Sequence, residues 1–170
     1  GVGGMGIGTI SKILVVAGHA QGYRVQFCDT KGLAIRNGGV YTHVTYSKSD
    51  TETSPVIPYG KADLLLGLDL LEAVRGIDPK AGFRVASADQ TRAIVNTAKT
   101  ETVTSLIGQE GFEVRDLEKW LKMHTKSDEY FGVDLFKIAE DQLKNKLYAN
   151  IMLLGVAFQR GLIPLDLKSV

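Results

Sequence analysis

Cysteine is nearly absent: the 170-residue chain has one, Cys28. One cysteine excludes an internal disulfide, and a cysteine-held iron–sulfur cluster normally takes four thiolates, so any such cluster must sit on another chain. A surplus of one charge sign is also missing. The 20 Lys and Arg against 19 Asp and Glu leave a formal net charge of +1, and the signs are interspersed instead of forming the basic stripe of nucleic-acid binders. DNA and RNA are therefore not expected partners. No uninterrupted apolar run approaches the ~20 residues that span a bilayer, so no membrane partner is expected either. Internal repeats and low-complexity stretches are lacking too. With 44% hydrophobic residues, a chain of this length can bury roughly 70% of its unfolded surface in one core, which predicts a single α/β domain over residues 1–170. The lack of a leader pattern and of a cysteine framework points to a cytoplasmic location. The opening on glycine instead of Met is that expected of a fragment or subunit of a larger assembly.

What is plentiful is glycine, with 19 residues, set in turns between short β-type runs and helical patterns. That alternation predicts a three-layer, Rossmann-like α/β fold with a mostly parallel sheet and a helical C-terminal part. Ile10, Ile13, Leu14 and Ala17 recur at helical spacing and predict a helix from about Thr9 to Gln21, ended by Gly22. Tyr23 to Cys28 alternates as a half-buried strand with Asp29 at its end, and Val40, Thr42, Val44 and Tyr46 share one face of another. Residues 47–60, polar and then bearing Pro55 and Pro58, predict a loop with at most edge-strand character. The apolar run following Asp63, through Leu68, predicts a strand covered on both faces. Leu70 to Arg75 reads as a helix, Arg84 to Ala88 and Arg92 to Asn96 as strands, and Asp116 to Met123 as a helix with Leu117, Trp120 and Leu121 inward. Leu135, Ile138, Ala139 and Leu143 keep helical spacing, and a longer helix is expected from about Asn145 to Gln159, stopped by Gly161 and Pro164.

Gly1, Gly3 and Gly6 satisfy G-x-G-x-x-G, and the following helix leads to a strand ending in Asp29, as in dinucleotide-binding turns. Residues without Cβ let the backbone turn tightly and bring N–H groups against an anion, and the helix N-terminus adds partial positive charge. Gly3, Gly4, Met5, Gly6 and Thr9 are the candidate cofactor contacts of this turn. Glycines of this kind also serve packing alone, and both roles stay open at this point. Arg36, Asn37, Gly38 and Gly39 form a second candidate loop, because a guanidinium can grip phosphate or carboxylate in bidentate fashion; a glycine turn with a surface arginine is the other reading. His43 lies on the face opposite Val44 in the adjoining strand. His19, His43 and His124 are widely separated and lack companion thiolates, so no metal site is expected. With neither a G-x-S-x-G elbow nor a Lys-bearing P-loop, no catalytic residue is assigned. Cys28 reads as a small core residue, Asp29 and Asp69 as ligand contacts or helix caps, and Asn150 as a buried hydrogen bond or an interface residue.

Several segments taken together resemble one family. Gly1-Val2-Gly3-Gly4-Met5-Gly6 leading into Thr9-Ile10-Ser11-Lys12, and Gly32 to Val40 with His43-Val44, are similar to the gamma domain of 2-oxoacid:ferredoxin oxidoreductases. Gly60 to Asp69, Val95-Asn96-Thr97, and Asn150 to Gly155 with Leu162 to Leu165 resemble its indolepyruvate type. Met5 stands where that family usually has Gln or Thr, and Arg36-Asn37-Gly38-Gly39 where it has a more compact Arg-Gly-Gly or Lys-Gly-Gly. The resemblance implies oxidative decarboxylation of a 2-oxoacid with coenzyme A to an acyl-CoA, the electrons passing to ferredoxin. It further implies that thiamine diphosphate, Mg and iron–sulfur clusters sit on partner domains, since this chain has no Gly-Asp-Gly segment and one cysteine. The isolated chain is then inactive, and its two glycine loops face a site shared with thiamine diphosphate-binding and ferredoxin-like subunits. Two other readings stand beside it: an independent NAD- or FAD-binding Rossmann domain, and a purely structural assembly domain.

Overall fold

The computed structural model describes residues 1–31, 39–50, 54–80, 84–100, 112–166 and 168. Helix α1 (Ile7–Ala20) starts from Gly6 in the left-handed region, φ 79°. It ends at Gly22, also left-handed, where the Gly22 and Tyr23 N–H groups donate back to His19 and Gly18. Strands β1 (Arg24–Lys31) and β2 (Val40–Ser47) follow, then β3 (Leu64–Gly67), α2 (Leu70–Arg75), β4 (Arg92–Asn96), α3 (Val114–His124) and β5 (Tyr130–Val133). Helices α4 (Leu135–Leu143) and α5 (Ala149–Gln159) complete the chain, with the latter preceded by a short 3-10 turn at Lys146–Tyr148. Asp69 caps α2 by accepting from the Glu72 N–H at 3.0 Å, and Asp134 caps α4 by accepting from Lys137 at 2.9 Å.

Strands β3, β4 and β5 form a parallel sheet in that order. Side-chain alternation puts a helical layer on each face. Leu64, Leu66, Ile94, Phe131 and Val133 pack toward α1, α4 and α5, whereas Leu65, Ala93, Val95 and Tyr130 pack toward α2 and α3. The expected three-layer α/β architecture with a helical C-terminal part is therefore present. One buried side chain ties its layers together. Asn96, fully buried at the end of β4, donates from Nδ2 to the Leu68 carbonyl at 3.2 Å and accepts at Oδ1 from Leu135 N at 2.9 Å and Ala98 N at 3.3 Å.

Several expectations need correction. β1 and β2 pair antiparallel, with Cys28 opposite His43, as a separate two-stranded ribbon. The connection between them is too short for the crossover that parallel pairing needs. Residues 84–87 form no strand; Val85 and Ala86 instead direct their N–H groups to the Gly76 carbonyl. Trp120 points outward, 51% exposed, and stacks on His124, because the α3 seam is carried by Leu117 and Leu121. The last helix begins at Ala149 instead of Asn145, since Asn145 caps the 3-10 turn by accepting from Leu147 N. β5 was not expected at all.

A cleft of about 680 Å³ separates β2 from β3. Its ceiling comes from α1 and α5, through Ile10, Leu14 and Leu153, and its floor from α2, through Ala73 and Gly76. Among the described residues no helix is long and apolar enough to cross a membrane.

Candidate functional site

The glycine turn sits where α1 begins. Gly4 and Gly6 both adopt positive φ, 95° and 79°, a conformation that L side chains enter only with strain. A Cβ on Gly4 would project into open space, whereas one on Gly6 would lie 2.1 Å from Asn150 Nδ2. Gly6 therefore serves close packing: the first turn of α5 lies over it. Met5 turns inward against the core. Gly8 and Thr9 are exposed in the first turn of α1, which has neither a side-chain cap nor an acidic residue. The partial positive charge of that end is consequently not offset by a carboxylate of the helix's own first turn. Gly3 is half-buried within the turn.

The two candidate loops meet at one point. Val2 forms an antiparallel bridge with Gly39, and Val40 N donates to the Gly1 carbonyl at 2.7 Å. Arg36, Asn37 and Gly38 lie outside the described residues. Gly39 has its own steric reason, because a Cβ there would come within 2.5 Å of the Glu72 carboxylate.

Glu72 is the residue that sequence reasoning missed. It is 6% exposed on the first turn of α2, accepts from the Tyr41 hydroxyl, and pairs with Arg75 at 3.0 Å. The available signal was an acid set between Leu70 and Ala73, on the buried stripe of a short apolar helix. Burial, and then the bond to Glu72, push the Tyr41 hydroxyl up to about 12. An unfolded tyrosine ionises near 10, so the stabilisation is complete below that pH and is lost as pH rises through the folded value. Tyr46 is pushed to about 12 by burial as well. Alkaline titration of tyrosinate absorbance should therefore show late steps from both, and Tyr41→Phe should remove one of them. A Tyr41→Phe curve identical to that of the parent protein would contradict the buried pair.

His43 is 8% exposed; its Nδ1 accepts from Ile57 N at 3.1 Å, so the ring proton resides on Nε2. Burial holds its pKa below the ordinary value. Cys28 is half-buried in β1. Asp29 stands within β1, not at its end, and accepts from Thr42 Oγ1 at 2.6 Å, so this carboxylate is engaged across the ribbon. Asn150 is half-buried at the start of α5, and its Oδ1 accepts from the N–H of Ile151.

Fold and turn together define a three-layer α/β domain whose first helix opens on a glycine-built, solvent-facing N-terminus. Residues 1–170 match the family model described as pyruvate ferredoxin/flavodoxin oxidoreductase, and the chain belongs to that family. It is 27% identical over 172 residues to the indolepyruvate oxidoreductase subunit IorB of Pyrococcus horikoshii, covering 100% of this chain and 79% of that protein. The subunit of the same name from Archaeoglobus fulgidus is 28% identical over 170 residues, with 100% and 79% covered. The crystal structure of pyruvate oxidoreductase subunit PORC from Thermotoga maritima shares the fold, with a TM-score of 0.56 at 21% identity, covering 96% of this chain and 75% of that one. The chain is thus a component of an oxidoreductase of the 2-oxoacid:ferredoxin class, and the independent nicotinamide or flavin domain is not the reading these likenesses support. The chain has one cysteine, and among the described residues no three His, Cys, Asp or Glu side chains gather into a metal-binding group.

Proposed function

We propose that this chain is the gamma-type component of an enzyme acting on an aryl 2-oxoacid of the indolepyruvate kind. The complete enzyme converts the 2-oxoacid and coenzyme A to an acyl-CoA and carbon dioxide, and two electrons pass to ferredoxin. The observation carrying this reading is the match of the whole chain to subunits named for indolepyruvate oxidoreductase. Residues 1–170 act as one α/β domain of a cytoplasmic assembly. Thiamine diphosphate, Mg and the iron–sulfur clusters belong to partner domains, which supply the chemistry of decarboxylation and electron transfer.

In this reading the turn formed by Gly3, Gly4, Met5, Gly6 and Thr9, with the loop of Arg36, Asn37, Gly38 and Gly39, faces the entrance shared with the thiamine-bearing subunit. An uncapped helix N-terminus suits the anionic groups of coenzyme A. The adjacent surface suits a protein partner: Leu143, Leu147, Tyr148 and Ile151 are all exposed, in the same stretch as the Asn150 that covers Gly6. Co-expression with the neighbouring large subunit should give one complex with indolepyruvate-dependent viologen reduction, and Arg36→Ala should raise the KM for coenzyme A about tenfold, the loss of one charge-assisted contact. Separate elution, with full activity in the absence of this chain, would refute the assignment. So would tight binding of NAD or FAD by the isolated chain.

A further inference from the structure

We propose that the outer face of α3 docks an acidic segment of a second protein, gripped by Arg115, Lys119 and Lys122 and closed over Trp120 and Met123. This face lies on the α2 and α3 side of the parallel sheet, away from the layer of α1, α4 and α5 that carries the glycine turn. The surface is thus separate from the one through which the large subunit is engaged above.

Acids and bases alternate along the sequence of α3, and the fold sorts them. Leu117 and Leu121 take the inward seam. Arg115, Lys119 and Lys122 then fall at i, i+4 and i+7 on one exposed face. Glu118, which would interrupt the row, is drawn aside, its Oε1 accepting from the Tyr130 hydroxyl at 3.1 Å. Lys126 continues the line just past the helix but is already held by Glu129 at 3.5 Å. Among the described residues Arg115, Lys119 and Lys122 form no ion pair, and neither Asp116 nor Asp128 closes on them. The four cations line an open groove of about 740 Å³ that continues past Met123 to Ala88 and Ser127.

Two features of this face disfavour the chain on its own. Like charges three and four residues apart weaken a helix, and Trp120 and Met123, 51% and 63% exposed, leave apolar surface in water. Trp120 is held by stacking on His124, ring centroids 5.4 Å apart, so it has little rotamer freedom left to lose on docking. A partner with carboxylates opposite the cations and an apolar side chain against Trp120 relieves both features at once. Charge complementarity selects the acidic partner, and tryptophan beside arginine is the usual composition of interface anchors. A nucleic acid fits less well. The net charge of +1 gives the chain no long-range field to draw in a polyanion, and Asp116 and Asp128 would repel a continuous phosphate backbone while leaving room for separate carboxylates.

Trp120 is the sole tryptophan of the chain and reports docking directly. The probe is the end-blocked peptide Glu-Glu-Leu-Glu-Glu-Leu-Leu-Glu-Glu, titrated into the full chain, with the same peptide carrying Gln for every Glu as control. The acidic peptide should move the Trp120 emission to shorter wavelength and the Gln peptide should not. Raising salt from about 0.05 M to about 0.3 M should weaken binding about fivefold, because screening shortens the reach of exposed charges. Each exposed ion pair contributes a factor of about two to three, so the triple variant Arg115→Gln/Lys119→Gln/Lys122→Gln should bind about tenfold more weakly. Lys12→Gln/Lys137→Gln/Lys146→Gln, elsewhere on the surface, should bind as the parent does. Unmoved emission, or equal losses in the two triple variants, would overturn the proposal. Tighter binding of oligouridylate or of phosphatidylserine vesicles than of the acidic peptide would overturn it too, naming a nucleic acid or a membrane as the occupant. Gln keeps nearly the helix propensity of Lys and Arg, so circular dichroism of the first triple variant should match the parent. Should that variant not fold, Lys119→Gln alone decides: an about twofold loss supports the proposal and unchanged affinity overturns it.

Discussion

Asn96→Leu is expected to lower the unfolding free energy by about 3 kcal/mol or more, measured by urea denaturation. Leucine matches the branching of asparagine with the same number of side-chain heavy atoms, is bulkier, and supplies no polar atom, so the change deletes three hydrogen bonds without opening a cavity. The groups left behind are buried main-chain groups: the Leu68 carbonyl, the Ala98 N–H and the Leu135 N–H. Each orphaned buried group costs about 1–3 kcal/mol, and the added apolar contact offsets part of that sum. The effect should fall on three segments at once, because Asn96 joins the ends of β3 and β4 to the first residue of α4. Hydrogen exchange should accordingly quicken at Leu135 as well as near Ala98. A loss below about 1 kcal/mol, a typical single-substitution effect, would mean that the side chain is not the tie described.

Gly6→Ala is the second large effect, expected at about 2–4 kcal/mol from two separable causes. A left-handed φ penalises a Cβ by roughly 1–2 kcal/mol, and the new methyl would sit 2.1 Å from Asn150 Nδ2, which forces α5 or its side chain to shift. A double-mutant cycle separates the causes. Asn150→Ala alone should be mild, since the Asn150 side-chain bond is to its own helix start. In the double variant the steric part should vanish and the dihedral part remain. Strict additivity of the two changes would show that Gly6 and Asn150 do not meet.

Most of the parallel sheet and its first crossover helix were legible in the sequence. The apolar run after Asp63, the Leu70 to Arg75 helix and the Arg92 to Asn96 strand stand where expected, because burial on both faces writes short, uninterrupted apolar runs bounded by turns. β5 was illegible because Tyr130-Phe131-Gly132-Val133 is four residues long and includes a glycine; its identity comes from pairing with β4, a distant partner that local pattern does not carry. Trp120 misled for the opposite reason. Hydrophobicity placed it inward, but the α3 seam is narrow and Leu121 fills it. Of the candidate site, the glycine turn was legible as spacing, whereas its bridge to Gly39 is a tertiary pairing that spacing does not carry. Glu72 was not, since a lone acid on a helix reads as solvated until the tertiary fold brings Tyr41 onto it.

The contact of Gly6 with Asn150 spans nearly the whole chain, and so does the pairing of Gln21 with Asp166, whose side chain and main chain exchange bonds at 3.3 Å and 3.1 Å. Both ends of α1 are thus held by residues that follow them by about 145 positions. At ~5–20 residues per second, the glycine turn waits on the order of ten seconds for α5 before it can close. The turn at Gly6 therefore takes its packed form only once α5 has been made.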